Sequence, residues 1–512
     1  MKDWTTKYNR RIQCHVACRR IVVLICFALR CSLFIPALAQ NDDFKAAYEA
    51  FRSQAKTEYE DFRQQANAEY AAFMEQAWKE SKSLPALRKP KEEDVPPVII
   101  EDEEEEYLGG NDGGDDQDIK IHVIRVPKEE PQPTPINPIH EQEDNGEVVT
   151  FDFFNTTCKV RLGSRNKFRL AGIDEQSVAT VWRVLSGTAY DNAIRDCLEL
   201  RIRLNLCDWA YLLLLDQLSQ AFCGANTNEA TLFMAYIYCQ SGYQMRLVTD
   251  DGWLRMLYSS KHNIYNTEYF SWEGVNFYPF NFNPKNTRVC PAVYPAERPL
   301  SLLVGKEQRL GQTLGGERIL CSARYPEVTV TVSENTDLME FYETYPPSYL
   351  GDNHLTRWAM YANTPINLQT REPLYNALRN YIRDKSELEA VNILLNWVQT
   401  AFVYEYDNKV WGDDRAFFAD ETLYYPYCDC EDRAILLSRL VRDLLGLDML
   451  LVYYPGHLAA AVCFNEEVSG DAIMLGGRRF VIADPTFIGA SVGRTMSGMD
   501  NKTAQVILLE AD

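Results

Sequence analysis

Histidine is scarce. The 512-residue chain holds six: His15, His122, His140, His262, His354 and His457. Positive charge is also short, with 52 Lys and Arg against 73 Asp and Glu and a formal charge of −21. That balance argues against sequence-independent nucleic-acid binding, which needs a basic surface. Long apolar runs are missing too. Residues 21–29 are apolar, but Arg30 interrupts them, which is too broken for a clear membrane span. Metal signatures are equally thin. Cys428 and Cys430 form a C-x-C with no second Cys/His pair nearby, a poor zinc pattern. The acidic run Glu101–Glu106 lacks calcium-loop spacing. Neither a metal nor another cofactor is expected.

The N-terminus reads as an address. Lys2, Lys7, Arg10, Arg11, Arg19 and Arg20 precede the apolar core, and Ala37-Leu38-Ala39 supplies small residues before Gln40. This is the pattern of an export signal over 1–39, cleaved before Gln40. Left uncleaved, it would be a membrane anchor. The expected location is the periplasm, the cell surface or the medium. Cys31 follows Arg30 and does not look like a lipid-attachment site. Export permits disulfides. The ten cysteines from Cys158 to Cys463 scatter through helical and strand patterns, which fits buried thiols as well, so both readings stay open.

Residues 44–76 repeat every 11 residues, with aromatics at Tyr48, Tyr59, Tyr70 and Phe51, Phe62, Phe73. Eleven residues make about three helical turns, so the stripe holds one face of a helix. That face would pack on its own chain or on a second copy, a route to self-association. Residues 83–147 hold nine prolines and 19 acids against six bases, the composition of a disordered linker. Within it Ile119–Val126 alternates loosely and fits a strand. The folded part begins near Val148. Strand patterns open it, and helices are expected over Asp174–Leu185, Asn192–Leu204 and Asp208–Phe222. Residues 296–350 look strand-rich, with L-S-L-L-V, R-I-L-C-S-A and V-T-V-T-V. The expected divisions are 1–39, 40–82, 83–147, 148–285, 286–365 and 366–512.

The chemistry concentrates downstream. Residues 428–436 read C-D-C-E-D-R-A-I-L. Ala434, Leu437, Val441 and Leu444 then recur at helical spacing, and Gly446 fits the helix stop. Cys430 therefore falls at a helix N-terminus, where free N–H groups and the dipole favour a thiolate. His457 opens the strand-like L-A-A-A-V-C-F, 27 residues on. Asp484 closes another such run, R-F-V-I-A-D. Nucleophile, base and orienting acid thus follow one another at the ends of elements.

C-E-D-R-A before an apolar helix, then G-H-L-A-A-A-V, then A-D-P-T, resembles the transglutaminase-like superfamily of papain-type cysteine hydrolases and acyltransferases. The resemblance covers roughly residues 385–490, including Asn396-Trp397-Val398 and Phe402, Tyr404 and Asp407. It implies an α+β fold whose core is a cysteine-bearing helix on an antiparallel sheet. It also implies a triad of Cys430, His457 and Asp484. The chain departs from many members in having Asp429 before the nucleophile and Leu458-Ala459 after the base, which bears on the substrate lip.

The expected activity is acyl transfer from an amide, with hydrolysis favoured over cross-linking and a protein or cell-wall peptide as substrate. The Cys430 N–H would serve the oxyanion, and Trp411 with Tyr425 or Tyr427 would wall the cleft. The rival is a non-catalytic peptide- or cell-wall-binding scaffold that keeps the triad as a fossil. One further pattern stands out. A shift of 204 lays Ala230–Val248 over Ala434–Val452 and Gly242 over Gly446. This predicts a degenerate copy of the unit upstream, with Asn226 as helix cap in the place of Cys430 and Trp253 filling the place of His457. A β-rich module would join the two. Because the triad lies downstream, residues 40–147 are expected to be dispensable for the chemistry, and a chain starting near Glu147 to fold and keep its activity on small substrates.

Overall fold

A computed structural model of the chain describes residues 42–90, 95–100, 124–125 and 146–509. Residues 1–39, read from sequence as an export signal, and the acidic run Glu101–Glu106 lie outside them, as do His15, His122 and His140. Among the described residues no helix is long and apolar enough to cross a membrane. The chain divides into two compact units, residues 1–65 and 66–512. In the first, residues 42–65 are helical, part of a helix Asp42–Met74.

The second unit is mixed α+β with two six-stranded sheets. Ahead of the first sheet run helices α1 (Asp208–Cys223) and α2 (Asn228–Gln240). Strands β1 (Met245–Asp250), β2 (Trp253–Ser260), β3 (Phe270–Trp272), β4 (Val275–Pro279) and β5 (Arg288–Val289) follow. Ahead of the second sheet run α3 (Glu387–Ala401) and α4 (Cys430–Leu445). Its strands are β6 (Asp448–Tyr454), β7 (His457–Cys463), β8 (Ala472–Leu475), β9 (Arg478–Ala483) and β10 (Gln505–Leu508). The spatial order is β3-β4-β2-β1-β5 in one sheet and β8-β9-β7-β6-β10 in the other, with every one of these neighbours antiparallel. The two halves therefore share one topology. The shift of 204 residues sets α2 on α4, β1 on β6 and β2 on β7 without a gap. Gly242 and Gly446 end the two helices at φ 90° and 67°, a conformation that glycine reaches without strain.

Local sequence explains the elements around the site. Ser386 and Glu389 form a reciprocal cap on α3, at 3.2 and 3.1 Å, satisfying two N–H groups that a helix start leaves free. The run Leu458–Val462 is buried on both faces. Leu458, Ala460 and Val462 join the large core with α4, while Ala459 and Ala461 meet Ile473, Phe480 and Ile482 on the other side. A central strand covered on both faces reads as a continuous apolar run rather than an alternating one.

Several expectations need correction. Residues 83–147 are not simply a spacer. Val98–Ile99, where no strand is expected, pairs parallel with Phe487–Ile488, and Ile124–Arg125, inside the Ile119–Val126 stretch expected to fit a strand, pairs parallel with β10. Just before them, Lys79–Glu80 adds to β5. Composition weighs a segment alone, whereas an existing sheet edge supplies the missing hydrogen-bond partners. The aromatic stripe also splits. Tyr70 is buried against Trp182 and Tyr294, at centroid distances of 4.9 and 5.6 Å, while Phe73 is exposed. Trp78 is buried as well. These contacts argue against treating residues 40–147 as dispensable. Finally, L-S-L-L-V at 300–304 is buried but not a strand; it makes one bridge, Ser260 to Leu300. Pro291, Pro295 and Pro299 upstream remove the donors a ladder needs. The other two patterns do pair, as Arg318–Cys321 with Thr329–Val332, and Thr336–Glu343 is a helix.

Candidate functional site

Cys430 is the first residue of α4. Asp429 precedes it, and its N–H donates to Asp432 Oδ2 at 3.2 Å, closing the helix start. The thiol is partly buried. It donates to Glu431 Oε2 at 3.2 Å and accepts from the Leu458 N–H. The sulfur therefore lies against the start of β7, one residue from His457.

His457 is fully buried, paired across a tight hairpin with Tyr454, whose ring lies 6.2 Å away and within 15° of parallel. Its Nε2 sits 2.8 Å from Asp484 Oδ2. A carboxylate only accepts, so Nε2 carries the hydrogen and Nδ1 is the basic nitrogen. Nδ1 is buried and has no hydrogen-bond partner. Asp484 follows β9, and its other oxygen accepts from the Thr486 and Phe487 N–H groups at 2.8 and 3.3 Å. Cys430 and His457 line one cleft of about 930 Å³ with Trp358, Tyr404, Tyr406 and Tyr453. The tertiary structure thus joins His457 to Asp484 directly and sets Cys430 in the same cleft as His457, with no hydrogen bond between thiol and imidazole.

Two supports were not foreseen. Gln399 Nε2 donates to the carbonyls of Asp484, Phe487 and Ala490 at 3.0, 2.8 and 3.0 Å, and its Oε1 accepts from Gly489 at 3.2 Å. One buried amide thus holds the whole loop that carries Asp484. Arg433, fully buried, donates to the carbonyls of Gln399 and Phe402 at 3.0 and 2.8 Å and to the Cys428 sulfur at 3.5 Å. An arginine inside an apolar helix run was the available signal, since a buried guanidinium must find acceptors. The Cys428 thiol, pushed up to about 11 by burial, is a structural partner of that arginine. All ten cysteines among the described residues are free.

The electrostatics oppose a ready thiolate. Burial drives the Cys430 thiol well above its ordinary range, and Glu431 and Asp429 push it further. The thiolate expected at the helix start is thus opposed first by burial and then by the acids around the first turn. Burial raises Glu431 to about 7, with Asp414 adding to it, and Asp407 to about 8, with Glu431 adding to it. Burial also raises Asp429 and Asp432. Asp414 differs. Burial raises it, but Lys89 and Arg357 together hold it below the ordinary carboxylate range. Asp407, Asp414 and Glu431 bring one ligand atom each within 4.8 Å of one another, an oxygen set of the kind hard cations accept.

The expected cleft wall is displaced. Trp411 packs edge-on against Tyr425 and Phe417, and Tyr427 is exposed; none of these is among the lining residues. In the upstream half Thr227 caps α2, accepting from the Ala230 N–H at 3.1 Å, whereas Asn226 stands exposed at φ 54°. Asn228 Oδ1 accepts from the Leu254 N–H at 3.0 Å, and Leu254 is the counterpart of Leu458. Trp253 is 46% exposed beside Arg255 and fills no cleft. Register adds a third member. Ile482 pairs with Ala461 as Pro279 pairs with Leu257, so Asn281 stands where Asp484 does. The chain matches no family model, no curated protein and no solved structure.

Proposed function

We propose that the chain is a transglutaminase-like, papain-type cysteine enzyme acting on amides, with Cys430, His457 and Asp484 as its triad and hydrolysis as the favoured outcome. The observation that carries this reading is the His457 imidazole. One nitrogen is fixed on Asp484, and the other is buried, basic and unpartnered in the cleft where the Cys430 sulfur lies. Because the thiol is held protonated, the first step is general-base catalysis. His457 Nδ1 takes the thiol proton as sulfur attacks the carbonyl carbon. The C–N bond breaks, Nδ1–H protonates the leaving amine, and a thioester remains. Water then gives a proton to Nδ1, attacks the thioester and releases the acid and the thiol. The Cys430 N–H at the helix start serves the oxyanion. Asn226, Trp253 and Asn281 supply none of these groups, so we assign the upstream half as a degenerate copy without turnover.

The scaffold reading is favoured by one observation, the burial and the neighbouring acids that disfavour the thiolate. Iodoacetamide and an amide-derived acylating probe, compared on wild type, Cys430→Ala and His457→Ala, separate the two. The enzyme reading expects a probe adduct on Cys430 that His457→Ala lowers by about 100-fold or more. An equal adduct yield with and without His457 would sink it.

A further inference from the structure

Residues 84–90, L-P-A-L-R-K-P, run alongside the candidate site. Leu84 bridges to Tyr269 and Leu87 to Tyr265, and Asn266 donates its N–H to the Leu87 carbonyl at 2.9 Å. Arg88 Nη1 donates to Asn266 Oδ1 at 3.0 Å. Lys89 then turns into the cleft. Its Nζ is 3.3 Å from Asp414 Oδ2 and its side chain is only 10% exposed. Arg88, Lys89 and Pro90 line the same cleft as Cys430 and His457, and Val95 lines it again. Beyond Val95 the chain is fastened beside the loop of Asp484, where Ile100 donates its N–H to Ile488 at 2.9 Å.

The charges explain why a lysine sits there. The cleft lining holds Asp407, Asp413, Asp414, Asp429 and Glu431. Its cations are Arg357 and two that the 84–90 segment itself brings, Arg88 and Lys89. Four aromatic rings, Trp358, Tyr404, Tyr406 and Tyr453, complete the wall. Such a surface suits a side chain with an apolar stem and a charged tip. One observation besides the acids points to an occupant: an ammonium group, that of Lys89, is already seated on Asp414 in the cleft.

We infer that Asp414, backed by Glu431 and Asp407, is a subsite for a lysine or arginine side chain of an extended peptide, and that Lys89 is the chain's own occupant of it. The inference deepens the proposed function by naming the substrate class: peptides with a basic residue next to the amide presented to Cys430. It also assigns the 84–90 segment a role. Docked as it is, it competes with substrate for the subsite.

Binding without turnover tests this. Full-length Cys430→Ala protein is titrated with a fluorescein-labelled peptide of sequence LPALRKP and with its Lys→Gln counterpart, by fluorescence polarisation. The expected result is weak binding of both. Adding Lys89→Ala should tighten the lysine peptide at least tenfold while leaving the glutamine peptide weak. Asp414→Asn on that background should erase the difference. Asp414 is partly exposed, and a thermal melt checks that each variant is folded. Equal affinities for the two peptides in the Lys89→Ala background would overturn the inference. So would calcium binding at the acidic cluster accompanied by no peptide discrimination. If protein that keeps Cys430 cleaves no amide of the lysine peptide while the lysine discrimination of the Cys430→Ala series stays intact, the proposed function fails and the subsite stands.

Discussion

Glu431 offers the sharpest quantitative test, because its substitution acts on stability and on the thiol together. Its carboxyl is buried beside Asp414 and accepts from the Cys430 thiol at 3.2 Å. Burial first, and Asp414 next, lift it from 4.5 to about 7. The folded state therefore binds more protons than the unfolded state between those values, so stability falls as pH rises across that window. The contribution is fully present below about pH 4.5 and gone above about 7. A shift of that size is worth about 3 kcal/mol, of which about 2.5 kcal/mol is lost between pH 5 and 8. The amide that Glu431→Gln introduces cannot ionise. Urea unfolding followed by tryptophan fluorescence, on wild type and Glu431→Gln at pH 5 and pH 8, isolates the effect. Any pH-independent cost of the amide cancels in the difference between the two pH values. The variant should gain about 2 to 3 kcal/mol on wild type between pH 5 and 8. It should also alkylate Cys430 several-fold faster, since Glu431 is one of the groups raising the thiol. A stability difference that is the same at both pH values would refute the reasoning.

The remaining expectations address other parts of the site. Asp484→Asn should keep the fold, because an amide oxygen still accepts from Thr486 and Phe487, but lower probe acylation of Cys430 by about 100-fold as the imidazole loses its fixed tautomer. Unchanged acylation would show that Asp484 is structural only. Gln399→Ala removes hydrogen bonds to three carbonyls and should cost about 2 to 4 kcal/mol in urea unfolding. Because the loop of Asp484 loosens, hydrogen exchange of the Thr486 and Phe487 amides should quicken; if exchange and stability are both unmoved, the clamp assignment fails. A chain starting at Glu147 lacks Tyr70, Met74 and Trp78 and exposes both sheet edges. Its melting temperature should fall by several degrees at least. An unchanged melt would mean those contacts contribute nothing.

The helix carrying Cys430, its stop at Gly446 and the hairpin after it were legible in the chain, because period and punctuation are local properties. So was the upstream half's equivalence, since 204 residues of offset preserve the helix–glycine–hairpin pattern even where Asn226 and Trp253 replace Cys430 and His457. The order of Cys430, His457 and Asp484 at the ends of elements was visible too. What period and punctuation do not carry is who neighbours whom across the sheet. The acids around Cys430 come from the helix start and from the 407–414 segment, and only folding packs them until burial reverses the dipole's pull on the thiol. Gln399 looks ordinary in sequence, and Arg433 stands out only as a charge in an apolar helix run; which backbone carbonyls each meets is settled by distant turns. Lys79–Glu80 and Ile124–Arg125 pair with edges of the two six-stranded sheets, and Val98–Ile99 pairs with Phe487–Ile488, partners that exist only once the chain has folded. Local pattern thus determined the elements and their chemistry-bearing ends. Burial and long-range pairing, which no single stretch encodes, decided the charge state of the site and the company that Lys89 keeps.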